Sequence, residues 1–414
     1  MHKNIVIRIV FNLFERFSTS LFSPFLAIFF AGVYGSLIAG AIMMTFVLSS
    51  MLGNHISGSL SDIKGRKNLL VFADLVRGIG LLIGPFIYLV YVQEGYIIYI
   101  TLLLVTFCGG ISAPVFNAMI IDVTDIDTRK KVYTLLYWLT NVGLAIGVII
   151  GGLMFEKYFV YSILISGILY LLIGLITIVY FEETLKEVKK DEKVHLFSFN
   201  ANFSKYSTVL KNRKFMLITF SSLCFVLIEN QLSNYLSIKI SNNFNETNVL
   251  GFNLEGVNVI GFLQAENTII VAVGSLVVFK FIKHIYKGNF LLISLLVFSL
   301  GYFSLAYFNS FKILMIAMFI ASLAELVVMP ALRVKLSNTI PKEQSANYSS
   351  VNSQIMSLGV ILSSSLISMS SYLNYQIMAY VMLLISLIGI CLFYIATTNR
   401  AATENSLQDK SMEG

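Results

Sequence analysis

The chain has 414 residues, 57% of them hydrophobic and only 12% charged, with a mean hydropathy of +0.81. This excludes a soluble globule with a charged surface. The net charge of +7 sits mostly at the ends of apolar runs, where it reports topology and contact with anionic lipid, so no nucleic-acid partner is expected.

Twelve apolar segments of roughly 20 to 28 residues cross a hydrocarbon core about 30 Å thick with some tilt. They span 4–32, 36–60, 68–92, 96–121, 132–155, 158–181, 214–240, 257–283, 289–309, 312–334, 347–371 and 374–397. The expected fold is an all-α membrane protein of twelve transmembrane helices. The first span holds Glu15 and Arg16 within its apolar stretch and lacks a following small-residue cleavage site, so it is expected to stay as a helix. With both termini cytoplasmic, only Lys157, Lys239 and Lys312 fall outside and Arg16 and Arg77 within the membrane.

An ionised group in lipid is costly and asks for a partner or a function. Glu15 and Arg16 in span 1, and Asp74 and Arg77 in span 3, are read as buried structural charge pairs; the latter two, three apart, share a helical face. Between spans 2 and 3 lies GSLSDIKGRK (58–67), with an acid and a basic cluster at the membrane edge. Span 4 ends at Asp122, and span 5 contains Trp138 and the small-residue run GLAIGVIIGG (143–152).

One long polar stretch, 182–213, separates six spans from six. It makes a cytoplasmic linker between an N-terminal bundle, 1–181, and a C-terminal one, 214–397, with a cytoplasmic tail at 398–414. Phe197, Phe199, Phe203, Tyr206 and Leu210 in the linker can lie on the membrane surface. Sliding the second half over the first by 216 residues superposes Gly58-Ser59-Leu60 on Gly274-Ser275-Leu276, Pro114 on Pro330 and Gly143 on Gly359. Two six-helix repeats of the same hand account for this.

In the second half Glu229, Glu266 and Glu325 lie at or near mid-span, with no basic residue in the central portions of their spans. Such carboxyls are the groups that carry protons or hold cations in a membrane. Asn230 and Asn234 near Glu229, with Trp138 from the first half, are candidate substrate-binding residues. Cys108, Cys224 and Cys391 lie within spans, and no metal, nucleotide or hydrolase motif occurs, so neither enzyme activity nor a cofactor is expected.

The stretch Gly58, Asp62, Gly65, Arg66 and Lys67 resembles the loop signature of the major facilitator superfamily, with Ile63 where a basic residue is usual. Its expected role is a conformational latch. Gly58 permits close helix approach, Asp62 sits against a helix N-terminus of the other half, and Arg66 pairs with Asp122. The run at 143–152 resembles an antiporter signature, with Val148 replacing its proline; Gly143, Gly147, Gly151 and Gly152 would pack span 5 on a partner such as span 8. NAMIID, the Tyr137-Trp138 pair and AELVVMP (324–330) are similar to the drug:proton antiporter family, in which Glu325 and Asp122 match functional acids. Leu136 and Ser233 stand where two others are expected.

This resemblance implies a proton-coupled multidrug exporter of lipophilic compounds, expected to be cationic. It would act by alternating access as a monomer in contact with membrane lipids, with Glu325, Glu229, Glu266 and Asp122 coupling to protons. A proton-coupled importer of a polar solute such as a small peptide is the alternative. A membrane sensor or scaffold would have no need of mid-membrane glutamates.

Overall fold

The computed structural model describes residues 3–91, 93–185, 209–245, 247–249, 252–285, 290–341 and 345–412; side chains at 3, 58, 59, 62, 126, 127, 130, 249, 252, 276–285, 345–346 and 399–412 lie outside the description. The linker segment expected on the membrane surface falls largely on 186–208, also outside it.

The described chain is almost wholly helical. The helices are α1 (Lys3–Ser20), α2 (Leu26–Lys64), α3 (Arg66–Val90), α4 (Gly95–Val123), α5 (Ile126–Tyr180), α6 (Arg213–Glu229), α7 (Tyr235–Asn243), α8 (Gly256–Ile285), α9 (Phe290–Tyr307), α10 (Phe311–Ser337), α11 (Ser345–Met369) and α12 (Tyr375–Met412). A hairpin of β1 (Thr247–Val249) and β2 (Phe252–Leu254) joins α7 to α8. Three-residue strands carry too few alternations to register as sequence periodicity, so the hairpin was not foreseen.

Among the described residues ten helices are long and apolar enough to cross a membrane. Two of them, Asn4–Ser57 and Lys131–Tyr180, run 54 and 50 residues. At 1.5 Å per residue they measure roughly 75 to 80 Å, more than twice the hydrocarbon thickness. Both contain non-helical residues: Gly35 at φ 78° in α2 and Tyr158 at φ −129°, ψ 18° in α5.

Two compact units result. The first holds α1–α5 with Ser233–Ala272 and Ser364–Tyr372; the second holds α6 with Asn230–Leu232, Val273–Ser363 and the chain from Leu373 on. In the first, α1 and α3 pack on α5, and α2 and α3 on α4. In the second, α9 packs on α10 and α12, and α6 on α12. Apolar side chains outside these contacts stay exposed, such as Ile83, Ile100 and Leu153 on the first unit and Ile316 and Leu384 on the second. Outward-facing apolar residues are what a lipid-immersed surface requires.

Candidate functional site

The small-residue run on α5 sets the first unit's geometry. A Cβ on Gly143 or Gly147 would stand 2.5 Å from the carbonyl oxygens of Leu13 and Phe17, and one on Gly151 would meet that of Leu21, so α1 lies backbone to backbone on α5. α1 is thus a partner of this run besides span 8, the example expected. Three of the four glycines face α1, and only Gly152 meets α8, where its Cβ would be 3.4 Å from Gly261 Cα and Asn258 Nδ2 donates to its carbonyl at 3.1 Å. Tight spacing leaves room at the interface for small groups alone.

The same close approach brings α1 charges against α3. Arg8, 2% exposed, donates from Nη1 to Asp74 Oδ2 at 2.8 Å and pairs through Nη2 with Glu15 Oε1 at 2.6 Å. Arg77 Nη1 lies 3.9 Å from Asp74 Oδ1 and its guanidinium 3.9 Å from the Tyr170 ring centroid; Arg77 also donates to the Tyr170 hydroxyl, which bonds Thr19 Oγ1 at 2.9 Å. Two guanidiniums thus face two carboxylates. The expected pairs are corrected accordingly. Glu15 is held by Arg8 while Arg16 is exposed, and Asp74 has Arg8 as its near partner and Arg77 as the far one. Arg8 and Tyr170 were not foreseen, although Arg8 lies seven residues, about two turns, before Glu15 and so on its face; its position near the start of the span made it read as a cytoplasmic-end charge.

At one end of this unit, Gly65 turns the chain from α2 into α3 at φ 86°, a conformation that favours glycine. Arg66 Nε donates to Asp122 Oδ2 at 2.8 Å, and Thr184 Oγ1 to the same oxygen at 3.1 Å. The first N–H groups of α3 are capped from afar, Arg66 N and Lys67 N donating to Glu183 Oε1 and Oε2 at 3.0 Å each. A carboxylate at a helix N-terminus satisfies donors and the helix dipole together. From the sequence Glu183 is only one residue of the polar linker stretch. The side chain of Asp62 lies outside the description, as does the environment of Gly58.

The predicted acids are divided between the units. Glu266 on α8, half-buried Trp138 on α5 and buried Asn234 belong to the first. Glu266 Oε2 is buried without a hydrogen-bond partner among the described residues. Leu136, standing where an acid was expected, packs with Ile5, Ile9, Ile120 and Val132 in an apolar cluster, and the other such position, Ser233, accepts from Gln264 Nε2 at 3.3 Å.

Glu229, Asn230 and Glu325 belong to the second unit. Glu325 on α10 is 7% exposed, and buried Tyr302 on α9 lies within electrostatic reach of both it and Glu229. Arg333, exposed near the end of span 312–334 and so outside its central portion, is within electrostatic reach of Glu229. A further correction concerns the helix itself. α6 stops at Glu229, Asn230–Leu232 form a 3-10 turn, and α7 starts only at Tyr235. The expected continuous span 214–240 is thus two helices separated by a turn. Polar residues in the run ENQLSN (229–234) signal this break, because their side chains can replace lost backbone partners.

Helices of membrane-crossing length, with buried acids in both units, describe a multi-pass membrane protein that carries ionisable groups inside its spans. The sequence matches the Major Facilitator Superfamily over residues 9–265 and 231–411, and the chain belongs to that family, one of transporters and not of enzymes. It is 24% identical over 385 residues to the Na(+), Li(+), K(+)/H(+) antiporter of Planococcus maritimus, covering 90% of this chain and 91% of that one. The fold resembles a POT family transporter solved with 5-aminolevulinic acid (TM-score 0.73, 15% identity, 96% of this chain and 97% of that one). It also resembles the nucleoside transporter NupG (TM-score 0.71, 13% identity, 95% and 100% covered).

Proposed function

We propose that this chain is a proton-coupled antiporter that expels cations across the cell membrane by alternating access. In this reading the breaks at Gly35 and Tyr158 each separate two crossings, for twelve in two six-helix halves, 1–181 and 214–397, around the linker 182–213. Both termini, including the tail at 398–414, are then cytoplasmic, by the distribution of Lys and Arg. Gly58, Asp62, Gly65, Arg66 and Asp122 form the cytoplasmic latch, and Glu325 is the principal proton carrier.

What carries this reading is the excess of membrane carboxyls, Glu229, Glu266 and Glu325, in a chain that aligns over 90% of its length with a cation/proton antiporter. An acid that alternates between a proton and a cation links the two fluxes, because it holds only one at a time. Lipophilic organic cations are the first cargo, from the motifs similar to the drug:proton antiporters and to the multidrug transporter LmrP among them. The second is an inorganic monovalent cation, favoured by the Planococcus relative. Likeness to the POT transporter supports the fold, and at 15% identity gives no support to peptide uptake.

The test uses inside-out vesicles carrying the full chain with an imposed pH gradient. Addition of a lipophilic cationic dye, or of NaCl, LiCl or KCl, is expected to dissipate the gradient and to move the cation against its own. Transport that needs ATP and survives collapse of the gradient overturns the proposal.

A further inference from the structure

Three helix ends of the second unit enclose a cavity of about 430 Å³, lined by Lys214 and Ile218 of α6, Lys335, Asn338 and Thr339 at the end of α10, and Thr397 of α12. That volume lies within the range of small-ligand sites, about 300–1,000 Å³. The helices of membrane-crossing length concerned begin at Arg213 and end at Ser337 and Thr398, so every polar lining residue is within two residues of a span end. Such positions stand at the level of lipid headgroups.

The cavity rests on a packed floor. Phe215, Ile218, Leu336 and Ala396 are buried members of one apolar cluster, and each is a lining residue or adjoins one in sequence. Asn212 fixes the start of α6, its Oδ1 accepting from Phe215 N at 3.1 Å and its Nδ2 donating to the Tyr348 hydroxyl at 3.1 Å.

The charge around it has one sign. Segments 209–228, 326–341 and 375–398 carry Lys211, Arg213, Lys214, Arg333 and Lys335 and no Asp or Glu. Of these five, Lys214 and Lys335 line the cavity, and both are half-buried. A lysine ending a helix often serves the last carbonyls. Here those carbonyls are already taken: Asn338 N bonds Val334 O at 3.1 Å, Ile340 N bonds Ser337 O at 3.2 Å, and Thr339 donates through N and Oγ1 to Leu336 O at 2.9 and 2.6 Å. Neither lining ammonium has a hydrogen bond or ion pair among the described residues.

Two like charges beside one cavity repel, and an anion between them turns that repulsion into attraction. Lysine offers donors alone, and Asn338 adds an amide, a set suited to phosphate oxygens. Thr339 and Thr397 spend their hydroxyl hydrogens on their own backbone, the latter on Phe393 O at 3.0 Å, and keep oxygens that can accept from a ligand hydroxyl.

We propose that this cavity binds a phosphate group of net negative charge, from an anionic lipid headgroup or a soluble phosphate, between Lys214 and Lys335. The site uses none of the membrane acids and goes beyond the antiport reading.

The purified full chain in non-ionic detergent is titrated calorimetrically, at constant ionic strength, with sodium phosphate, short-chain phosphatidylglycerol and short-chain phosphatidylcholine. Saturable binding of phosphate, phosphatidylglycerol or both is expected, and none of phosphatidylcholine, whose ammonium cancels its charge. Phosphatidylglycerol without phosphate names the lipid as source, and phosphate without phosphatidylglycerol a soluble one. Lys214→Gln and Lys335→Gln are each expected to weaken binding by about fivefold. Lys211→Gln, which removes the same charge nearby but outside the lining, should leave it unchanged. Thr397→Met fills the cavity with both lysines in place and should weaken binding too, which keeps the test open where a lysine variant melts early. Saturable binding of neither phosphate nor phosphatidylglycerol overturns the site. So does phosphatidylcholine bound as tightly as phosphatidylglycerol, or a loss in Lys211→Gln as large as in the lining variants, since a diffuse basic surface then suffices.

Discussion

The charges buried in α1 and α3 and those in α6 and α10 are handled in opposite ways. In the first unit Arg8 and Arg77 face Glu15 and Asp74, Asp74 is 0% exposed, and Tyr170 and Thr19 extend the network, so each charge has a fixed counter-charge. In the second, Tyr302 is within electrostatic reach of Glu229 and Glu325, and the exposed Arg333 of Glu229; the helix bearing Glu229 is broken beside it, where the Asn230 and Gln231 amides cap the Val226 and Leu227 carbonyls. A set that is neutral and enclosed tends to rigidify, since removing any member strands another. Two of the acids proposed to couple the fluxes, Glu229 and Glu325, lie outside that enclosed set, in the second unit.

The sharpest test of that contrast is Glu325→Gln. Because a glutamine cannot alternate between charged and neutral forms, proton-driven accumulation in vesicles is expected to be abolished while substrate binding is kept. Unchanged uphill transport would place the proton elsewhere in the second unit or in the first.

Arg8→Met should be the largest blow to stability. It strands Asp74 and Glu15, and the expected cost is about 3–5 kcal/mol, read as a lowered Tm in detergent. Adding Asp74→Leu and Glu15→Gln to it should recover most of that loss, since an apolar replacement of a whole buried charge set is often neutral. A triple variant no more stable than Arg8→Met alone breaks the view that this network is closed.

A smaller effect is expected from Gly151→Leu, whose side chain meets the Leu21 carbonyl and the Phe25 ring. Overpacking of this kind costs about 1–3 kcal/mol and should push α1 away from α5. The consequent misplacement of Arg8 would also appear as reduced transport, whereas Leu153→Ala on the exposed face of the same helix should leave both readouts unchanged.

Least of all should be the stability change in Arg66→Met. Its pair with Asp122 is partly exposed, with the two side chains 13% and 23% accessible, so about 0.2–1 kcal/mol is expected. If the latch is real, spin labels on the two halves will nonetheless report a shift toward the inward-open state. A large drop in Tm without such a shift would make this cluster structural, like the one around Arg8.

Much of the architecture follows from short-range rules. Apolar runs must span lipid as helices because their backbone groups have no other partner there, and Gly65, the stripe Gly143, Gly147 and Gly151, and the mid-span positions of Glu229, Glu266 and Glu325 are all visible as spacing. The pairings are another matter. Arg8 meets Asp74 across 66 residues and Glu183 caps α3 across more than a hundred, and no periodicity links such positions. The helix break lies between these cases: the polar run 229–234 marks the place, but only the folded chain turns Gln231 so that its nitrogen caps Leu227 and Ser363 and its oxygen is left facing away. Local sequence decides which backbone hydrogen bonds can form. Which buried charge finds which partner depends on how closely the helices approach, and that distance is set by packing across the whole unit.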